Sequence, residues 1–222
     1  MAPLPDEIKK QDIIDELTWD DRINANEVLV EVHDGNVTLK GKVPNFSSKV
    51  AATRDAYRIA GVKNVKNEID VEFPATVTYP NDDEITANIH NMLLWNSDIS
   101  SAGIIVETNN GIVTLTGTVP TYWEKYLAED IANSTNGVLG VINSLDVVLE
   151  KSATDIDIET DIRNAYRRSV LIDEKKINVN AKNGVVTLSG SVITYPVKRE
   201  ALDIAYYTTG VIDVIDDLRI EF

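Results

Sequence analysis

The stretch GNVTLKGKV at residues 35–43 recurs as GIVTLTGTV at 111–119 and as GVVTLSGSV at 184–192, displaced by 76 and then by 73 residues. A second landmark keeps step with it: Gly61-Val62, Gly137-Val138 and Gly210-Val211 each begin 26 residues after the first glycine of their copy. Two glycine landmarks at constant separation, with different residues between them, mean that one supersecondary unit is used three times. The chain of 222 residues therefore divides into units of about 70, each with a small core.

The unit is legible from its turns outward. Asp34-Gly35, Asn110-Gly111 and Asn183-Gly184 lie between β-branched runs, and both positions of such a dipeptide tolerate the positive φ of a tight hairpin turn. A two-residue loop sets Val32 opposite Val37, Val30 opposite Leu39 and Val28 opposite Gly41, with the same register in the other copies. One hairpin face is then apolar, including Val30, Val106 and Val179. The other carries Lys40 and Lys42, then Thr114, Thr116 and Thr118, then Thr187, Ser189 and Ser191, the pattern of a sheet covered on one side only.

Helices provide the cover. Ile13 and Leu17, Ile85, Ile89 and Leu93, and Ile158, Ile162 and Tyr166 recur at helical spacing before each hairpin. After it, Asn45, Thr121 and Thr194 are suited to cap a second helix of about fourteen residues. Paired alanines, Ala52 and Ala56, Ala128 and Ala132, Ala201 and Ala205, would let that helix lie close to the sheet, with Gly41, Gly117 and Gly190 expected to leave room for it. Ile69, Val71 and Phe73, then Leu145, Val147 and Leu149, then Leu218, Ile220 and Phe222 alternate as a final strand. The expected fold class is α+β: three tandem αββαβ units, at 6–73, 81–150 and 154–222, each a three-stranded sheet covered on one face by two helices. Linkers as short as 74–80 and 151–154 restrict how freely the units move.

Composition narrows the function classes. The net charge of −15 falls as −4 over residues 1–76, −8 over 77–151 and −3 over 152–222. That balance repels phosphate backbones, so nucleic acid is not an expected partner. No cysteine is present, which excludes disulfides and thiol chemistry, and no apolar run approaches the roughly 20 residues of a membrane span. With Met1 as the native start the expected location is cytoplasmic; with a signal sequence removed it is periplasmic.

Taken together, the glycine-turned G-x-V-T-L-x-G-x-V hairpin, the alanine-bearing helix, the G-V-x-x-V landmark and the alternating last strand resemble the BON family, named for bacterial osmotically induced and nodulation proteins, in three tandem copies. The resemblance implies a non-enzymatic module of the bacterial envelope, associated with phospholipid binding, envelope integrity or osmotic stress. The family's matched residues are structural, so no binding residue is carried over with them.

Chemistry-bearing residues are few. His33 and His90 sit in different units without an aligned second ligand, so no metal, cofactor or catalytic group is expected. Asp155, Asp157, Glu159 and Asp161 read as an acidic helix start rather than a calcium loop. Trp19 and Trp95 occupy one repeat position, where the third copy has Arg168, and are expected to be semi-buried packing groups. In the middle copy Trp123 and Tyr126 are candidate interfacial anchors, aimed at a partner domain or at headgroups. Arg163, Arg167, Arg168, Lys175 and Lys176, with Arg199 expected to join them in the fold, form the one local concentration of positive charge. The leading expectation is a non-catalytic, stress-associated bacterial scaffold with peripheral affinity for anionic phospholipid. The alternative is a protein-interaction or self-assembly module, as a homo-oligomer, without lipid binding.

Overall fold

The computed structural model describes residues 5–73, 78–149 and 153–221. Each copy of the repeat builds the same αββαβ unit. The first runs α1 (Asp6–Trp19), β1 (Val28–His33), β2 (Asn36–Val43), α2 (Phe46–Arg58) and β3 (Asn64–Val71). The second runs α3 (Asp82–Trp95), β4 (Ile104–Asn109), β5 (Ile112–Val119), α4 (Tyr122–Ser134) and β6 (Gly140–Val147). The third runs α5 (Asp155–Arg168), β7 (Ile177–Lys182), β8 (Val185–Val192), α6 (Tyr195–Tyr206) and β9 (Asp213–Ile220).

Every sheet has three strands with the second hairpin strand in the middle. The hairpins keep the expected register: Val28 faces Gly41, Val30 faces Leu39 and Val32 faces Val37. In the first two units the last strand joins the central one in parallel, as a helical crossover requires. Asp34, Asn110 and Asn183 adopt φ of 50°, 49° and 52°, each followed by a glycine at 74–78°, which is why the dipeptide can turn so tightly.

The cores are the expected ones. Ile13, Leu17 and Leu39 in the first unit, Ile85, Ile89, Leu93 and Leu115 in the second, and Ile158, Ile162 and Tyr166 in the third are sealed from solvent, as are all six paired alanines. Asn45 and Thr121 cap α2 and α4 by accepting from Ser48 N and Glu124 N. The second helices are slightly shorter than expected, 13, 13 and 12 residues. Phe73 lies beyond β3 and stacks on Tyr79 at 4.1 Å, while Phe222 and Glu150 lie outside the described residues.

Two expectations change. Val30 and Val179 are buried, but Val106 is only half-buried. The covering position on the first helix differs: Ile14 packs on the first core and Arg163 reaches over its strand to donate to Val179 O at 2.7 Å, whereas His90 is exposed. Gly41 is also required for a different reason. At φ 121° a Cβ would come within 2.0 Å of Glu27 O on the approach to the neighbouring strand, so backbone, rather than the helix, excludes a side chain there.

Packing groups the three repeats into two compact units. Among the described residues one consists of 5–73 and 78–79 with 193–196 and 220–221, the other of 80–149 and 153–192 with 197–219. The second and third repeats thus share most of one unit.

Candidate functional site

Two surfaces gather the residues singled out in the sequence. The first is the tip that follows α5. Helix α5 ends in Arg167 and Arg168, and a short turn at Glu174–Lys176 returns the chain to β7. Arg167 Nε donates to Glu174 Oε2 at 3.0 Å, which ties the turn that carries Lys175 and Lys176 to the helix end. Between them Val170 is 98% exposed and Leu171 53%, while Ile172 is buried as the anchor of the loop. The tip is therefore two exposed aliphatic side chains flanked by exposed cations. Of the six basic residues expected together, Arg163 instead braces its own sheet through Val179 O, and Arg199 lies on α6 in a different environment.

The corresponding tips in the other repeats correct an expectation. Trp19 and Trp95 are 75% and 85% exposed rather than semi-buried. Each lies two residues beyond the last buried leucine of its helix, Leu17 or Leu93, and two residues turn a helix by about 200°, away from the core. The first two repeats thus end their first helix in an exposed tryptophan, where the third ends in Arg168 and carries its exposed aliphatic residues in the loop beyond.

The second surface lies where α4 and α6 meet within the second compact unit. Tyr122 stacks on Tyr206 at 4.9 Å, Tyr126 lies 5.9 Å from Tyr206, and Trp123 meets Tyr207 at 4.8 Å. Arg199 Nη2 donates to the Tyr126 hydroxyl at 2.7 Å, and its guanidinium stands 5.0 Å from the Tyr126 ring and 5.9 Å from that of Tyr206. Asp203, one helical turn on, accepts from Arg199 Nε at 3.1 Å. Burial opposes the Arg199 charge, but Tyr126 and Asp203 more than offset it and hold the group above its ordinary value. Burial pushes the Tyr122 phenol up to about 12, with Asp213 and Glu129 adding to it, and burial likewise raises Tyr206. The Arg199 guanidinium thus packs beside both the Tyr126 and the Tyr206 rings. Trp123 and Tyr126 are thus anchors between repeats, and their partners Tyr206 and Tyr207 were not singled out from sequence. The signal was there in the repeat alignment, which puts Tyr206-Tyr207 where the second copy has Asn133-Ser134. Beside them opens a cleft of about 370 Å³ lined by Tyr122, Trp123, Leu149, Tyr206, Tyr207 and Val211.

The acidic start of α5 has a structural role. Asp155 accepts from Asn183 N and Gly184 N, both at 2.9 Å, so the helix start clasps the hairpin turn. Asp6 and Asp82 do the same for the first and second turns. Among the described residues no group of three or more His, Asp or Glu side chains is placed to hold a metal ion.

Three αββαβ units of this register, with exposed tips and an aromatic contact between repeats, define a tandem small-domain protein whose recognition features lie on its surface. The BON domain model matches residues 5–72, 81–148 and 154–221, and the chain belongs to that family. It is 27% identical over 158 residues to the osmotically-inducible protein Y of Escherichia coli, covering 68% of this chain and 79% of that protein. It is 32% identical over 111 residues to the outer membrane lipoprotein DolP of Haemophilus influenzae, covering 50% of this chain and 57% of that one. With the 21 kDa hemolysin of Actinobacillus pleuropneumoniae it shares 29% identity over 145 residues, 64% of this chain and 74% of the relative.

Proposed function

We propose that the protein is a non-catalytic, stress-associated BON scaffold of the bacterial envelope whose third repeat touches anionic phospholipid through the tip after α5. The observation that carries this reading is the pairing of exposed Val170 and Leu171 with Arg167, Arg168, Lys175 and Lys176. Aliphatic side chains gain free energy by entering the acyl boundary, and each flanking cation adds about 1 kcal/mol at an anionic surface. The overall charge of −15 works against approach, so binding is weak and salt-sensitive. The names of the osmotically-inducible and outer-membrane relatives support the stress and envelope elements, and favour the periplasmic placement over the cytoplasmic one. No helix among the described residues is long and apolar enough to cross a membrane.

Vesicle flotation tests the reading. The protein is expected to float with anionic vesicles at low salt and to be released at roughly 0.5 M salt, where the screening length is only a few Å. Arg167→Glu with Arg168→Glu should abolish flotation while leaving the fold intact, and Val170→Asp should weaken it. Equal binding to neutral vesicles, or an unchanged double variant, rejects the electrostatic mechanism.

The cleft beside Trp123 favours a second reading, docking of a protein partner or a second copy of the chain without lipid. Its lining carries no charged side chain, so it suits an uncharged group. Light scattering of Trp123→Ala checks this: a fall in oligomer mass supports self-association through the cleft, and an unchanged mass removes it.

A further inference from the structure

The first repeat contains a pair of acids that its sister repeats lack. Asp20 caps the end of α1 and is 7% exposed. Arg22 holds it tightly: Nε donates to Oδ1 at 2.8 Å and to Oδ2 at 3.0 Å, the Arg22 backbone N donates to Oδ1 at 3.0 Å, and Nη2 also reaches Oδ2. Asp55, on α2, is fully buried and in side-chain contact with Asp20. Among the described residues no hydrogen-bond donor reaches either of its carboxyl oxygens. The cations facing it are Arg22 and Arg58; Arg58 Nη1 stands 3.5 Å from Oδ1 and donates instead to Glu16 at 3.0 Å. A sealed carboxylate without a donor is costly, and beside a second carboxylate more so. At the same repeat positions the second and third copies carry Ile131 and Ile204 for Asp55, and Asn96 and Ser169 for Asp20. The site is therefore an acid introduced where the fold accepts isoleucine.

We propose that Asp55 and Asp20 share one proton, and that this proton fastens the loop at 20–23 to α2, making the first repeat alone an acid-strengthened switch. The proton resides on Asp55, which donates to the ionised Asp20. The same loop is tied to α2 at a second point, where Ser48 Oγ donates to Arg22 O at 2.6 Å, and it directly follows the exposed Trp19. Losing the proton places two buried carboxylates against each other and loosens the loop and the helix end before it.

The sign follows from the two environments. Burial, then Asp20, pushes the Asp55 carboxyl from 3.8 up to about 6, so the folded first repeat binds a proton that the unfolded chain has released. Its contribution is full below 3.8 and is lost as pH rises through about 6. Asp20, pulled well below the ordinary carboxylate range by the Arg22 guanidinium, stays ionised throughout that window.

Hydrogen exchange of the full chain, corrected for the intrinsic pH dependence of exchange, tests this. Between pH ~4.5 and ~7.5 the opening of residues 19–23 and α2 should rise about 30-fold, while the equivalent loop at 95–99 and α4 serve as unchanging internal controls. Asp55→Asn should remove the pH dependence. Asp55→Ile, which matches the other copies, should keep α2 protected at both pH values. A wild-type response that is flat, or that persists in either variant, overturns the switch. So does a carbon-13 titration that puts the Asp55 carboxyl midpoint near 4.

Discussion

Asp6, Asp82 and Asp155 show how much a single repeated side chain can do. Each accepts two backbone N–H groups from a turn 28 and 29 residues further on, turning a helix start into the clasp of a hairpin. Those N–H groups would otherwise be left to solvent at the tightest point of the chain. The Gly184 and Asn183 amides hold the Asp155 carboxyl below its ordinary 3.8. A depressed carboxyl contributes stability that is present above 3.8 and lost as pH falls through its folded value. Asp155→Asn is therefore expected to lower the melting temperature at pH 7 and to flatten the acid limb of the stability profile. Thermal melts from pH 2 to 7 check this; a variant that melts with the wild type at every pH would show that the clasp contributes nothing.

At the scale of elements, each unit is a sheet that buries one face under two helices, and its cost of disruption should sit in the central strand. Leu115 on β5 is fully buried in the middle strand of its sheet, so Leu115→Ala is expected to cost about 2–5 kcal/mol through the cavity it leaves, read by urea denaturation. The contact between α4 and α6 is of another kind. It rests on a guanidinium that donates to the Tyr126 hydroxyl and packs beside the Tyr126 and Tyr206 rings, and a double-mutant cycle of Tyr126→Ala with Arg199→Ala should give a coupling of about 1 kcal/mol. Additive effects of the two substitutions would mean that hydrogen bond and ring contact carry no joint energy.

For the whole molecule, the division into two compact units implies a cooperative pair of repeats. Because residues 80–149, 153–192 and 197–219 pack as one unit, damage in the second repeat should be felt in the third. Leu115→Ala is expected to raise hydrogen exchange in β7 and β8 as well as in β4 and β5. An effect confined to the second repeat would make the repeats independent in stability despite their aromatic contact. The exposed tip after α5, the aromatic contact and the buried acid pair belong to different repeats or different faces. The triplication has thus kept one scaffold and varied its surfaces and some core positions, Asp55 among them.

The sequence by itself determined everything that depends on neighbours along the chain. Asn110-Gly111 specifies a turn because both residues tolerate positive φ, and once the turn is set the hairpin register follows residue by residue. The helix stripes of Ile85, Ile89 and Leu93 and the cap at Thr121 are likewise local patterns. Tertiary structure decided what distant residues do to one another. Tyr126 and Arg199 are 73 positions apart, and neither residue type announces the other. Arg163 was expected in the basic group because it is near Arg167 in sequence, and Arg199 because the fold was expected to bring it there, yet Arg163 reaches its own sheet and Arg199 the ring of Tyr126. Asp55 is an ordinary helix aspartate by sequence. Only the packing of α2 onto the end of α1 removes its water and sets it against Asp20, and that loss of solvent is what converts a common surface residue into a proton-binding one.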